Sequence, residues 1–524
     1  CAKLSPFLTG AKVDAKFAAR LSELAQAEMP PAVATSFWEG EAALRRDDWD
    51  VAREAYKEVV RLLPHNALAQ YRLAMTSSLT DPELAHAAIQ IALAESKNVA
   101  SRESKLIEAY AAFLAGDAAR AERGYLALLE EYPEDIDARY QLAETYFHLN
   151  PLRGRSIEEA EAPLDKVLSY DGKHAALDHQ IDLAQLKGQK KIVAELARRS
   201  LELGRKDAKE VLPVRWAHAW ASGDAVERKQ LWAELADPRT GWSALARCFE
   251  RSIWQGDDLD DAERLANIAI ARDQLVQGEP LDKAEGYDFL AVVNLARGRW
   301  AEARKNLETA ARMVPGHRHT YNLLWASTIE FFPVGDDTLH RDLETARALP
   351  AKDEWDLLDG TFMQGALAAR LGEDGVASEA AAMLSHRVNE LASALPRDLA
   401  RAVRARVAYQ HGKREDARLA LEKMELLVPF SSVDRYAQLP EVWLRVRLGQ
   451  SQIPSGNFLF ADYRAAVYQA PLAILRGKQA DNAGYRDTAL REYQHYLRLR
   501  KDADASFAAE INSVHERVKA LTSP

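Results

Sequence analysis

The sequence predicts an all-α chain, a solenoid of stacked antiparallel helix pairs, and three observations carry that expectation. Composition favours helix: 48% of the 524 residues are hydrophobic, Ala and Leu are conspicuous among them and β-branched residues are sparse. The stretch from Ser101 to Pro133 holds two short amphipathic segments separated by Gly116-Asp117. Leu106, Ala109, Tyr110 and Phe113 recur at helical spacing before that turn, and Ala121, Tyr125, Leu128 and Leu129 recur after it. The arrangement then repeats. Gly40, Trp49, Ala52, Tyr56 and Pro64 keep the mutual spacing of Ala109, Ala118, Ala121, Tyr125 and Pro133, offset by two periods of about 34 residues to within one position. A pair this short cannot bury its own apolar faces, so it needs like neighbours on both sides.

Taken in order, residues 1–30 contain one helical stretch, roughly Ala11 to Glu28, which reads as a cap or linker. Residues 31–204 form a first array. Its second unit, from Ala67, is degenerate, with Asp81-Pro82 in place of the glycine turn, and a longer turn through Asn150-Pro151 and Gly154 is a candidate contact loop. Residues 205–332 form a middle array in which the register blurs before Gly223-Asp224, turns again at Gly256, and returns clearly from Tyr287 to Pro315, with its turn at Gly298. Residues 333–429 follow what reads as a loosened joint at 333–352, where two prolines and a glycine cluster, and turn at Gly372 and Gly412. Residues 430–524 comprise an irregular or helical insertion, a last unit turning at Gly484, and a polar capping helix from Ala505 to Leu521.

These spacings resemble the tetratricopeptide repeat, in which small residues let two helices approach, bulky residues fill the gap to the next pair, and proline ends the second helix. The resemblance implies a right-handed superhelix whose inner face is lined by the first helix of each pair. By that mapping Tyr110, Phe113, Tyr140, Glu144, Phe147 and His148 face a protein or peptide partner, since large aromatics beside polar groups serve as peptide anchors. The competing reading packs some of these rings between neighbouring helices.

Charge and motifs narrow the function by exclusion. The formal net charge of −10 argues against a general nucleic-acid binder, which needs a basic face. Only Cys1 and Cys248 are present, so there is no disulfide framework or cysteine-rich metal site. No apolar run reaches the length of a membrane span. The initial Cys1 has two readings: a lipid-modified mature terminus, giving a membrane-associated, extracytoplasmic protein, or the cut end of a longer chain.

No phosphate-binding, dinucleotide, zinc-protease or nucleophile-elbow motif occurs, so neither catalysis, a cofactor nor a small-molecule substrate is expected. The close histidine pairs His317/His319 and His174/His179 lack local cysteine or carboxylate partners, and no metal is expected. The acidic run Asp257-Asp258 with Asp260-Asp261 lacks the glycine of a calcium loop and reads as helix N-terminal charge.

Arg102-Glu103, Glu108-Ala109, Gly116-Asp117, Tyr132 to Asp135, and Leu142-Ala143 with Tyr146 and His148 resemble, in that order, the repeat regions attached to bacterial serine/threonine kinases and winged-helix regulators. The kinase lysine and the H-R-D and D-F-G motifs are absent, so no kinase activity is carried over. The resemblance implies a scaffold or a sensory arm. The leading expectation is therefore a non-catalytic scaffold for protein or peptide partners, with a regulatory arm of a signalling protein as the alternative.

Overall fold

The computed structural model describes residues 30–205, 207–255, 259–273, 280–387, 394–432, 441–449 and 463–523. The expected helix Ala11 to Glu28, Cys1, the Gly256 turn, Asp257-Asp258 and most of the expected insertion lie outside these residues. Among the described residues there are 26 α-helices and no strand, and successive helices pack on one another in antiparallel pairs. This is a tetratricopeptide-like helical-repeat solenoid. No described helix is long and apolar enough to cross a membrane.

The chain divides into two units. The first comprises the described residues within Cys1–Asn150, Ile157–Ser222 and Val428–Val433. Its helices are α1 (Pro31–Arg45), α2 (Trp49–Leu62), α3 (Ala67–Ser77), α4 (Pro82–Glu95), α5 (Ser101–Leu114), α6 (Ala118–Glu131), α7 (Ile136–Glu144), α8 (Glu161–Tyr170), α9 (Ala176–Leu186), α10 (Lys190–Leu201) and α11 (Ala208–Ser222). The second comprises the described residues within Pro151–Ser156, Gly223–Leu427 and Asp434–Pro524. It holds α12 (Ala225–Ala236), α13 (Trp242–Gln255), α14 (Asp260–Asp273), α15 (Pro280–Arg297), α16 (Trp300–Met313), α17 (His317–Thr328), α18 (Asp336–Arg347), α19 (Glu354–Leu371), α20 (Asp374–His386), α21 (Leu395–Gln410), α22 (Arg414–Glu422), α23 (Val442–Leu448), α24 (Gln469–Asn482), α25 (Arg486–Leu499) and α26 (Ala508–Thr522).

Local chemistry sets the helix ends. The Asn66, Asp81, Asp117 and Asp135 side chains each accept a hydrogen bond from a backbone N–H of the first turn that follows, satisfying a donor with no intrahelical partner. The glycines expected at turns, Gly116, Gly223, Gly298, Gly372, Gly412 and Gly484, all adopt positive φ, the left-handed conformation that ends a helix at least steric cost. Small residues act where helices meet. A Cβ at Gly40 would lie 2.7 Å from the Tyr56 ring, so α1 can approach α2 this closely only with glycine there.

One expectation changes. The segment read as a loosened joint contains α18, whose Leu339, Leu343 and Ala346 are buried on one stripe at helical spacing. Its prolines flank the helix instead of interrupting it, which is why composition alone read as a joint. The degenerate second unit is a complete pair, and every residue from Ala69 to Ser78 is buried. Its first helix carries Arg72, which grips Glu41 of α1 at 2.6 and 3.0 Å and reaches Asp137 of α7 at 3.4 Å. Arg102 of α5 in turn contacts Asp135 at the start of α7 and Asp137 within it, at 2.8 and 3.0 Å. Buried ion pairs thus run between the first helices of successive pairs and fix the register of the face that carries the candidate site.

Candidate functional site

In the first unit, α3, α5, α7 and α9 bring aromatic side chains into a continuous ladder. Tyr71 meets Tyr110 edge-on at 5.2 Å, and Tyr110 stacks with Phe113 at 5.6 Å. Phe113 meets Phe430 at 4.5 Å, and Phe430 meets His148 edge-on at 5.4 Å. His148 meets Phe147 at 5.2 Å, and Phe147 stacks on His179 at 4.1 Å with the planes inclined by 22°. Each such pair contributes roughly 0.5–1.5 kcal/mol beyond the area it buries.

Phe430 belongs to a short segment contributed by a distant part of the chain. Its approach depends on Gly116, the turn between α5 and α6: a Cβ there would lie 1.9 Å from the Val428 carbonyl oxygen. Val428 is fully buried and Phe430 is 7% exposed, so the segment is packed into the aromatic face.

Beside the ladder lies a polar cluster built across two repeats. Glu144 ends α7, and the chain continues through a π-helical turn, Thr145–Leu149, that carries His148. The Glu144 Oε2 atom is 3.4 Å from His148 Nε2, and Oε1 is 2.7 Å from Nε2 of His179 on α9. Burial opposes ionisation of Glu144, but the two imidazoles outweigh it and hold the carboxyl well below its usual range. Burial likewise opposes charge on His179, and the Glu144 carboxylate outweighs that, pushing the imidazole up to about 9. The Tyr140 phenol is raised first by its own burial and then by Glu144.

The structure brings the expected residues together but corrects the expectation that they face outward. Tyr110 and Phe113 are each 2% exposed, Phe147 6% and Glu144 8%; only Tyr140 and His148 are half-buried. Their rings pack between neighbouring first helices and against Phe430, because an aromatic on such a face buries more area against a ring than against water. Tyr140 turns to His174, meeting it edge-on at 4.6 Å.

Three participants were missed by sequence reasoning. His179 was judged by its distance along the chain from His174, although its partners lie one repeat earlier. The signal is the period itself, which places Glu144 and His179 at equivalent positions of successive first helices. Tyr71 sits in the degenerate unit, and Phe430 falls where the period is lost; no sequence pattern marks its destination.

The face and fold define the class, a helical-repeat protein with a tetratricopeptide-like architecture. No family profile matches the chain, and no curated protein matches its sequence. Among solved structures, the human IFIT1 dimer with m7Gppp-AAAA is similar at 13% identity, covering 82% of this chain and 92% of that one with a TM-score of 0.28. The P58(IPK) TPR domain matches at 15% identity, over 76% of this chain and 98% of that one, with a TM-score of 0.18. The Naa15/Naa10 complex bound to HypK-THB matches at 13% identity, over 94% and 98%, with a TM-score of 0.20. These likenesses are faint, and the fold class rests on the helix packing itself.

Proposed function

We propose that the chain is a non-catalytic scaffold that holds a short peptide segment against the aromatic face of α5, α7 and α9, and that Val428–Ser432 occupies this face in the free protein. The observation that supports this reading is the seating of Phe430 between Phe113 and His148. A ring entering between aromatics on neighbouring helices is the geometry of a peptide anchor. Partners that fit carry an aromatic residue where an irregular stretch enters a short helical turn, as in Val428-Pro429-Phe430. The reading as a regulatory arm of a signalling protein rests on the sequence resemblance; there the internal segment would be the element that a partner displaces.

A tethered segment competes at an effective concentration of order millimolar, so it suppresses binding of a free copy of itself. Fluorescence polarisation with a labelled peptide of residues 424–434 tests this. Phe430→Ala should bind the peptide saturably, the unaltered chain at least tenfold more weakly, and the double variant with Phe113→Ala should lose the binding again. A folded Phe430→Ala chain that ignores the peptide would overturn the proposal.

A further inference from the structure

We infer that Glu144, His148 and His179 form a binding site for one divalent transition-metal ion of the zinc type, clasping two successive repeats. The inference stands apart from the peptide reading and holds whether or not a peptide binds.

The donor set comes first. Two imidazoles and one carboxylate are ligands that suit zinc and its neighbours in the first transition row. One donor atom from each of the three residues lies within 4.8 Å of the others. An ion of this class takes such donors at about 2.0–2.2 Å. Both histidines turn Nε2 towards the same carboxylate, His148 at 3.4 Å and His179 at 2.7 Å.

Glu144 Oε1 is buried and makes no aligned hydrogen bond despite its closeness to His179 Nε2, and His179 Nδ1 is likewise buried without one. Buried polar atoms left in this way are costly and mark a place where a ligand completes the set.

The buried carboxylate also calls for a cation, and a dication held by neutral imidazoles supplies one. A second cluster in the same unit shows the alternative solution. Asp47, Asp178 and Glu210 also gather their carboxylates, but the Arg205 guanidinium lies among them, 3.0 Å from Asp47 and 2.6 Å from Asp178. That cluster already holds its cation. Among the described residues no lysine or arginine forms an ion pair with Glu144.

The surroundings suit a held ion. Phe147 stacks on the His179 ring and Phe430 packs against His148, which keeps water from two sides. The π-helical turn at Thr145–Leu149 sets the position of His148 relative to Glu144; such turns are frequent at functional sites. Three protein ligands leave at least one coordination position open.

Chelator-stripped full-length protein titrated with Zn²⁺ in a calorimeter, and with Co²⁺ in the visible, tests the site. One high-affinity equivalent of Zn²⁺ and a cobalt d–d band are expected. His148→Gln and His179→Gln should each weaken binding at least tenfold, while His174→Gln binds like the parent. His148 is 30% exposed in its side chain, so its variant reports on the ion even if His179→Gln fails to fold. Stripped protein that takes up neither ion, or a His148→Gln chain that binds with unaltered affinity, would overturn the inference. A Phe430→Ala chain that fails the peptide test yet still binds Zn²⁺ would leave this site standing.

Discussion

Arg102 shows at the scale of one residue what periodicity does to charge. It is 5% exposed and lies among Glu103, Asp135 and Asp137, the last two one repeat further on. The separation along the chain is 33 residues to Asp135 and 35 to Asp137. The same lag joins Arg318 to Glu285, at 33, and Asn322 to Asp288, at 34. Equivalent positions on successive first helices face each other, so a charge in one repeat finds its partner about one period away. Asp135 also caps α7 through the Ala138 N–H. Replacing it with Ala removes a cap and one of the three carboxylates around a buried guanidinium, leaving Glu103 and Asp137, and should cost about 2–4 kcal/mol in urea or thermal unfolding. A loss below about 1 kcal/mol would show that solvent reaches Arg102. The pairing lag was present in the sequence, but it is invisible to a search confined to one helix.

At the scale of elements, the paired helices were legible and their contacts with distant segments were not. The spacing that predicts α5 and α6 predicts the turn at Gly116, and the observed φ of 76° agrees. Nothing in that spacing says that the Val428 carbonyl will rest on the glycine. Gly116→Ala is therefore a sharper variant than a surface glycine would be. The left-handed conformation costs an alanine about 1 kcal/mol, and the new methyl also collides with Val428. The expected outcome is release of Val428–Ser432, seen as faster proteolysis near that segment and as peptide binding like that of Phe430→Ala. By contrast, Gly372→Ala, where a Cβ meets nothing within 4 Å, should lose only the conformational part. Equal behaviour of the two variants would separate Gly116 from the segment. The helix α18 was missed for a related reason, since its flanking prolines mark ends of a helix as readily as they mark a joint.

At the scale of the whole molecule, repeats couple chiefly to their neighbours, so stability is a sum of local terms more than one global quantity. Apart from the short segments Pro151–Ser156 and Val428–Val433, the two units divide at Ser222 and Gly223. Calorimetry should resolve more than one transition, and Asp135→Ala should lower the transition of the first unit while leaving that of the second in place. A single transition that moves as a whole would show the chain to be one cooperative body.

By itself the sequence determined the helices, their pairing and most of the turns, because hydrophobic period, capping residues and glycine conformation act over a few residues and are written where they act. The period also brought Tyr110, Phe113, Glu144, Phe147 and His148 onto one face. Tertiary structure alone decided that most of those side chains are covered, that Phe430 sits among them, and that His179 joins Glu144 and His148. Burial and convergence depend on which distant segments meet, and no local energy term encodes that meeting.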